Sequence, residues 1–305
     1  MNLQEAQSAL SRLGYTPGPA DGVFGARTRA ALVLLQRDAG LIASGELDTR
    51  TRSLLDRLSG RVQKAAGLPA GLGHLSRFRL THYVIAEQAA SDRPANVPVL
   101  GRAGEELARV SARFFCDLAL QGSGRLRDGR LLNVTGGYVS VQGHPAYAEV
   151  LVRARQVLPS KLAYAGIRLR GEQVTEALSF SVIPRDRAGK GWTIQRGIPC
   201  EPFRTLAADL GAYRTSDPRF RDKGGLVPSG TRVFVAELAG VRLPDRSTHD
   251  GWCVVNDTGG AIFGAHFDVF AGTRTLAKQV PLPAVGHVWF EESEERCPRD
   301  YTYGL

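Results

Sequence analysis

The hydrophobic period changes once along this chain, and that change restricts its fold more than any other feature. Residues 3–13 place Leu3, Ala6, Leu10 and Leu13 at helical spacing, and Gly14 stops the helix before a turn-rich stretch. A second helix is expected from near Arg27 to Gly40, with Ala30, Ala31, Leu34 and Leu35 on one face, and Gly45 precedes a third with Leu54 and Leu55. Beyond residue 75 the pattern becomes short apolar runs of strand type: FRLTHYVIAE at 78–87, TRVFVAEL at 231–238, WCVVN at 252–256 and HVWF at 287–290. The stretch between, rich in Gly and small residues, reads as a linker. A chain of 305 residues exceeds the roughly 100 to 200 of one domain, so a three-helix domain at 1–60, a linker at 61–75 and a larger strand-rich domain are expected.

The formal net charge of +9 attracts anionic surfaces, whether nucleic acid, anionic lipid or the acidic polymers of a bacterial envelope. Because no dense Lys/Arg run occurs, a solvated basic surface is expected, and no nucleic-acid partner. Cys116, Cys200, Cys253 and Cys297 lie far apart with no C-x-x-C pair, which removes zinc spacing and leaves one or two bridges or free thiols open. The histidines, His74, His82, His144, His249, His266 and His287, show no ligand spacing either, so no metal and no cofactor are expected. No apolar run reaches the length of a membrane span and no hydrophobic leader core follows Met1. The expectation is a monomer without stable membrane insertion, exported by a phage holin, by a secretion machine, or after removal of a leader.

Within the helical region, LGYTPGPADGVFGARTRAAL followed by LQRDAGLIASGELDTRT resembles the peptidoglycan-binding domain of the LGY-x-PG-x-x-DG-x-FG-x-x-T kind, over residues 2–57. The resemblance expects a tight Asp21-Gly22 turn, Phe24 plugging the core, Gly25, and Thr28 as a cap. Leu35 stands where many members have Phe, a volume-tolerant change. Ligand contact is expected from exposed neighbours, in the groove beside Tyr15 and Arg27.

The densest chemical signal is DGWCVVNDTGGAIFGAHFDVF, in which a strand ends at Asp257, two glycines follow, and Asp268 arrives eleven positions later. If both ends of this crossover converge, like charges raise one carboxyl pKa and prepare a general acid. Gly259 and Gly260 would permit positive φ and close approach of a backbone or a sugar ring. A plain turn capped by Asp257 is the structural alternative.

This segment is similar to the three-aspartate (3D) domain of the membrane-bound lytic transglycosylase A family, whose core reads DTGGAI-x-G-x-x-x-D. Asp257 to Ile262, Gly264 and Asp268 are in place, with Phe263 where Lys is usual. Leu80-Thr81-His82-Tyr83 resembles the family's LTGYY segment and LQGSGRLRDGR at 120–130 its QGSGR segment. ALSFSVIP at 177–184, SDPRF and VPSGTRVFV, up to residue 235, resemble its remaining barrel strands, so the likeness covers roughly residues 76–292. It implies a mainly β fold: a double-psi β-barrel from 76–117 and 176–295, with a small β-domain inserted at 118–175. A glycan groove between the two would be lined by Gln121, Gly122 and Ser123. By their own residues these three read equally well as part of a hairpin turning at Asp128-Gly129.

The same resemblance implies peptidoglycan glycan strands as partner and a lytic transglycosylase as activity, closing 1,6-anhydro-N-acetylmuramic ends. Asp268 would be acid and base, and Asp257 would tune and orient it. Thr81 would add a hydrogen bond, with Tyr83, Gly259 and Gly260 beside the substrate; His266, two residues before Asp268 on an expected strand, would share its face and its pocket by alternation. Asp217 and Asp222 compete as the first aspartate of the pattern. A muramidase on the same scaffold and a non-catalytic, expansin-like wall binder are the alternatives. The cell-wall role would be that of a phage endolysin, a secreted effector or a housekeeping periplasmic enzyme.

Overall fold

Asn2 opens the first helix by a reciprocal cap. Its side chain accepts from the Glu5 amide while the Glu5 carboxylate accepts from the Asn2 amide, so two orphan donors of the first turn are satisfied. The computed structural model describes residues 1–64, 76–157, 165–183, 193–195, 198–209, 227, 229–259, 262 and 264–291. Helices α1 (Leu3–Arg12), α2 (Ala26–Asp38) and α3 (Thr49–Lys64) bury Ala6, Leu10, Leu13, Leu32, Leu35, Leu55 and Leu58 against one another. Two buried glutamines pin the intervening loops. Gln7 bonds Asp21, the Val23 carbonyl, Thr28 and the Gly22 amide, and Gln36 does the same for Glu46, Thr51 and Gly45.

Three expectations for this domain are corrected. Phe24 does not plug the core: it is 40% exposed, with the Arg29 guanidinium over its ring, because the loop is already held by Gln7 and needs no apolar anchor. Thr28 is not a cap either, since Gly25 occupies that position and the buried Thr28 hydroxyl donates to the Pro17 carbonyl. The third helix continues to Lys64, into the segment expected as linker, and residues 65–75 lie outside those described.

The strands in chain order are β1 (Ser76–Tyr83), β2 (Ala86–Glu87), β3 (Val97–Leu100), β4 (Glu106–Val110), β5 (Ser123–Arg125), β6 (Leu131–Ser140) and β7 (Ile167–Arg170). They continue as β8 (Gln173–Ile183), β9 (Thr193–Gln195), β10 (Ile198–Cys200), β11 (Thr205–Ala207), β12 (Arg232–Val235), β13 (Trp252–Asp257), β14 (His266–Phe270) and β15 (Val285–Phe290). Helices α4 (Ala112–Gln121), α5 (Ala146–Val157) and α6 (Arg274–Gln279) complete the described elements. The chain divides into two units, one of residues 1–82, 203–270 and 275–305 and one of residues 83–202 and 271–274.

In the first unit six strands close into a barrel in the order β1-β14-β11-β13-β12-β15. Alternation along each strand decides what points inward. Phe78, Phe267 and Phe290 meet inside, Phe78 and Phe267 stacked at 4.5 Å between ring centroids. Leu206, Val255, Val269 and Val288 bury with them. The opposite faces of β1 and β15 carry Arg77 and His287, directly paired across the strands. These receive the helical domain. Arg77 donates from Nε to Asp38 at 2.8 Å and reaches it from Nη2 at 2.6 Å, and the Tyr15 hydroxyl donates to the same oxygen at 2.8 Å. His287 lies 2.9 Å from that hydroxyl and 2.5 Å from Glu237. Tyr15 is therefore buried in an internal contact and does not line an open groove, contrary to the sequence reading.

The second unit holds a five-stranded sheet, β2-β5-β6-β8-β7, beside the hairpin pairs β3-β4 and β9-β10. Here too the expectation needs correction. The described part of the segment 177–184, residues 177–183, belongs through β8 to this sheet and not to the barrel, and the unit begins at Tyr83, well before residue 118. Nor is it purely β. ARFFCDLALQ and AYAEVLVRARQV form α4 and α5, whose Phe114, Phe115, Leu118, Tyr147 and Val150 pack with Val97, Val99 and Phe180. Cys116 and Cys253 are buried free thiols, Cys200 is buried, and Cys297 lies outside the described residues. Among the described residues no helix is long and apolar enough to cross a membrane.

Candidate active site

On β14 the inward places go to Phe267 and Val269, which leaves His266 and Asp268 on the outer face of the barrel. On neighbouring β1 the inward Phe78 and Leu80 leave Arg79 and Thr81 outside. The two outer faces meet at one hydroxyl. Thr81 donates to Asp268 Oδ1 at 2.8 Å, and its oxygen is 2.7 Å from His266 Nε2. A hydroxyl has a single proton to give, so with that proton on Asp268 the oxygen accepts from a His266 Nε2–H, and this fixes the imidazole tautomer. Burial holds His266 down to about 4, so the ring stays neutral across the physiological range.

Burial also pushes the Asp268 carboxyl above its ordinary value, opposed by the Thr81 hydrogen bond and the Arg79 charge. The cause expected from the sequence, repulsion from Asp257, is not the one at work. Loss of water around the side chain disfavours the charged form, which is the direction a general acid needs.

Asp257 closes β13, where it is buried and accepts the Thr258 amide at 2.7 Å. A bulge at Leu206/Ala207 brings Asp257 into register with Ala207 from one side, while Asp268 pairs with Ala207 from the other. The two Cα atoms thus stand two strand spacings apart, roughly 10 Å. Asp209, just past β11, accepts the Gly264 amide at 3.1 Å and holds the far end of the glycine-rich crossover. At Gly259 the constraint is space and not a positive φ, since a Cβ would meet Ile262 Cδ1 at 2.9 Å; the left-handed residue of the crossover is Gly264, at φ +61°. Gly260, Phe263, Asp217 and Asp222 lie outside the described residues.

Of the residues expected at the site, Thr81, His266 and Asp268 are brought into direct contact, with Asp257 and Gly259 on the same barrel. Tyr83, Gln121, Gly122 and Ser123 belong to the second unit. Tyr83 ends β1 and its carbonyl accepts the Ala271 amide. Gln121 is the last residue of α4 and Gly122 its left-handed C-cap at φ +75°, so these two terminate a helix and are not part of the hairpin. Ser123 opens β5, buried, with its hydroxyl donating to Asn133 at 2.7 Å. The hairpin to β6 does turn at Asp128-Gly129, where Gly129 has φ +85°. Arg79 and Asp209 escaped the sequence reading. Arg79 was recoverable from the period-2 pattern that puts it on the face of Thr81; nothing local marked Asp209. Among the described residues no group of three or more His, Cys, Asp or Glu side chains could hold a metal.

A closed six-stranded barrel with an aspartate, a threonine and a histidine joined on its outer face, behind a three-helix domain, is the class that fold and site define. Residues 2–55 match the family model of a putative peptidoglycan binding domain, and residues 222–281 match that of the 3D domain, so the chain carries both modules. The localization factor PodJL of Caulobacter vibrioides is 48% identical over 58 residues, which amount to 19% of this chain and only 6% of that protein. Among solved structures, E. coli MltA with bound chitohexaose aligns over 86% of this chain and 88% of that one, at 16% identity and TM-score 0.40. A membrane-bound lytic murein transglycosylase from Agrobacterium tumefaciens aligns over 94% of this chain and 90% of that one, at 16% identity and TM-score 0.37.

Proposed function

We propose that this protein is a peptidoglycan lytic transglycosylase, acting at the cell wall, that cleaves the bond between N-acetylmuramic acid and N-acetylglucosamine and leaves 1,6-anhydro ends. The observation that carries the reading is Asp268: a buried carboxyl, biased towards protonation, hydrogen-bonded through Thr81 and lying inside the segment that matches the 3D domain. Asp268 gives its proton to the glycosidic oxygen as the C1–O bond breaks. The resulting carboxylate takes the proton of the same sugar's 6-hydroxyl, whose oxygen bonds C1. The proton returns to its starting place and no water is consumed. Because the substrate supplies the nucleophile, a second catalytic carboxylate is not required, unlike in ordinary glycosidases. Asp257 and Thr81 are positioning residues, and His266 holds the Thr81 oxygen from the other side. The match of residues 2–55 supports wall binding ahead of the barrel. A modular endolysin or a secreted effector is the biological setting that fits a wall-binding module followed by a catalytic one.

The test is the mass of the fragments released from isolated Gram-negative peptidoglycan. Products lighter by one water than reducing muropeptides are expected. Reducing ends would make the protein a muramidase, and sedimentation with the wall without release would leave only a binder.

Substitution of Thr81 reports on Asp268. The Thr81 hydroxyl stabilises the ionised carboxylate, so Thr81→Val raises the Asp268 pKa further, and the acid form persists to higher pH. Activity that needs protonated Asp268 falls as pH rises through this pKa. The alkaline limb of the kcat/KM profile is therefore expected at higher pH in Thr81→Val than in the parent, with a lower plateau from lost orientation. An unmoved limb would exclude Asp268 as the titrating acid.

A further inference from the structure

Two cavities adjoin on the first unit, one of about 300 Å³ on the helical domain and one of about 210 Å³ where that domain meets the barrel, and both are lined by Ala39, Leu54 and Arg57. They form one trough. Arg50 and Ser53 line its outer part and Pro281 and Pro283 of the barrel its inner part, where Glu237 sits against His287. Arg50, Leu54 and Arg57 follow one another at helical spacing on α3 and present two cations separated by two turns, roughly 10 Å, over an apolar floor. Both arginines are exposed, and Arg57 has no ion-pair partner among the described residues.

We infer that this trough, built jointly by the helical domain and the barrel, binds the peptide stem of peptidoglycan, with Arg50 and Arg57 receiving its free carboxylates. The inference rests on the peptidoglycan reading above and specifies what the wall-binding part of the chain grips. The glycan backbone carries no free carboxylate once the lactyl group is joined to the stem, whereas the stem carries several, spaced along an extended chain at about 3.3 to 3.6 Å per residue. Two guanidinium groups roughly 10 Å apart fit the D-glutamyl α-carboxylate and the side-chain carboxylate of the diamino acid joined to it through the γ-linkage, and Arg forks pair bidentately with carboxylates. The apolar floor of Ala39 and Leu54 suits alanyl methyl groups.

The barrel wall of the trough stays in place because Arg77, Asp38, Tyr15 and His287 lock the helical domain onto β1 and β15. Arg77 and Thr81 share the outer face of β1 four residues apart, about 13 Å along the strand. A stem held beside His287 therefore belongs to the same stretch of wall that presents its glycosidic bond to Asp268.

The experiment is calorimetric titration of the full chain with the free tripeptide L-alanyl-γ-D-glutamyl-diaminopimelate, which has no glycosidic bond and so reads binding apart from cleavage. Saturable binding is expected, weakened at least about tenfold by Arg57→Glu and by Arg50→Glu. Arg57→Lys should retain part of the affinity, and Ala39→Trp, which fills the junction of the two cavities, should abolish it. Arg12→Glu on α1 carries the same charge change away from the trough and should bind as the parent does. No saturable binding, equal weakening by Arg12→Glu, or undiminished binding by Arg57→Glu would each overturn the inference. Tripeptide binding without fragment release from walls would instead overturn the cleavage reading and leave the trough intact; fragment release without tripeptide binding would do the reverse.

Discussion

Asp268→Asn should reduce the release of anhydro fragments by about 10²- to 10⁴-fold, the usual range for loss of a positioned acid–base group. The substitution is close to isosteric. Asn keeps an oxygen that can accept from Thr81, so the arrangement of Thr81 and His266 is preserved while the transferable proton is lost. The fall should therefore appear in kcat more than in KM, and the variant should still sediment with the wall. Asp257→Asn should cost less, because its carboxylate accepts a turn amide and does not share the Thr81 hydroxyl. Mass spectrometry of timed digests with both variants decides the assignment. If Asp257→Asn were inactive and Asp268→Asn near normal, the proton carrier would be Asp257.

The second large effect concerns stability. Arg77→Met should lower the unfolding free energy by about 3 to 5 kcal/mol, because it strands the Asp38 carboxylate in a buried setting. The side chains of the pair are only 6% and 10% exposed, and the Tyr15 hydroxyl leans on the same carboxylate oxygen. Burial first, and then Asp38, push the Tyr15 phenol well above its ordinary range, so it remains a donor throughout the accessible pH range. Combining Arg77→Met with Asp38→Leu should recover most of the loss, since an apolar pair of similar volume replaces a desolvated ion pair at little net cost. Denaturant titration of the single and double variants measures the coupling directly. Additive losses would mean that the two side chains do not act as a pair.

Much of the molecule was legible before any coordinates. Glycine stops at 14 and 40 and the apolar spacing of Leu10, Leu13 and Leu35 mark the first two helices within a residue or two, and short apolar runs mark β1, β12, β13 and β15. Thr81 and Asp268 are expected at the site from the resemblance and His266 from strand alternation beside Asp268, and the three converge on one hydroxyl. Apart from α4 and α5, whose helical spacing is local but whose segments are expected as parts of β-domains, the errors fall where a residue's partner is distant in sequence. Phe24 looked like core because apolar residues usually are, but Gln7, seventeen positions earlier, had already fixed that loop. Tyr15 looked like a ligand contact, yet it answers to Asp38 and His287. The β8 segment has the same strand pattern whichever sheet it joins, since period 2 shows which face is buried and not which neighbour lies alongside.

The sequence by itself determined the first two helices and the apolar strands of the barrel, because helical and strand periods and glycine breaks act over a few residues. It also determined the chemistry available, because a carboxyl, a hydroxyl and an imidazole are properties of single residues. Only the tertiary structure decided that burial, and not a second carboxylate, raises Asp268, and that the helical domain is bolted to the barrel through Arg77 and Asp38. Desolvation and buried pairing depend on what surrounds a group in space, and those surroundings come from strands and helices scores of residues away.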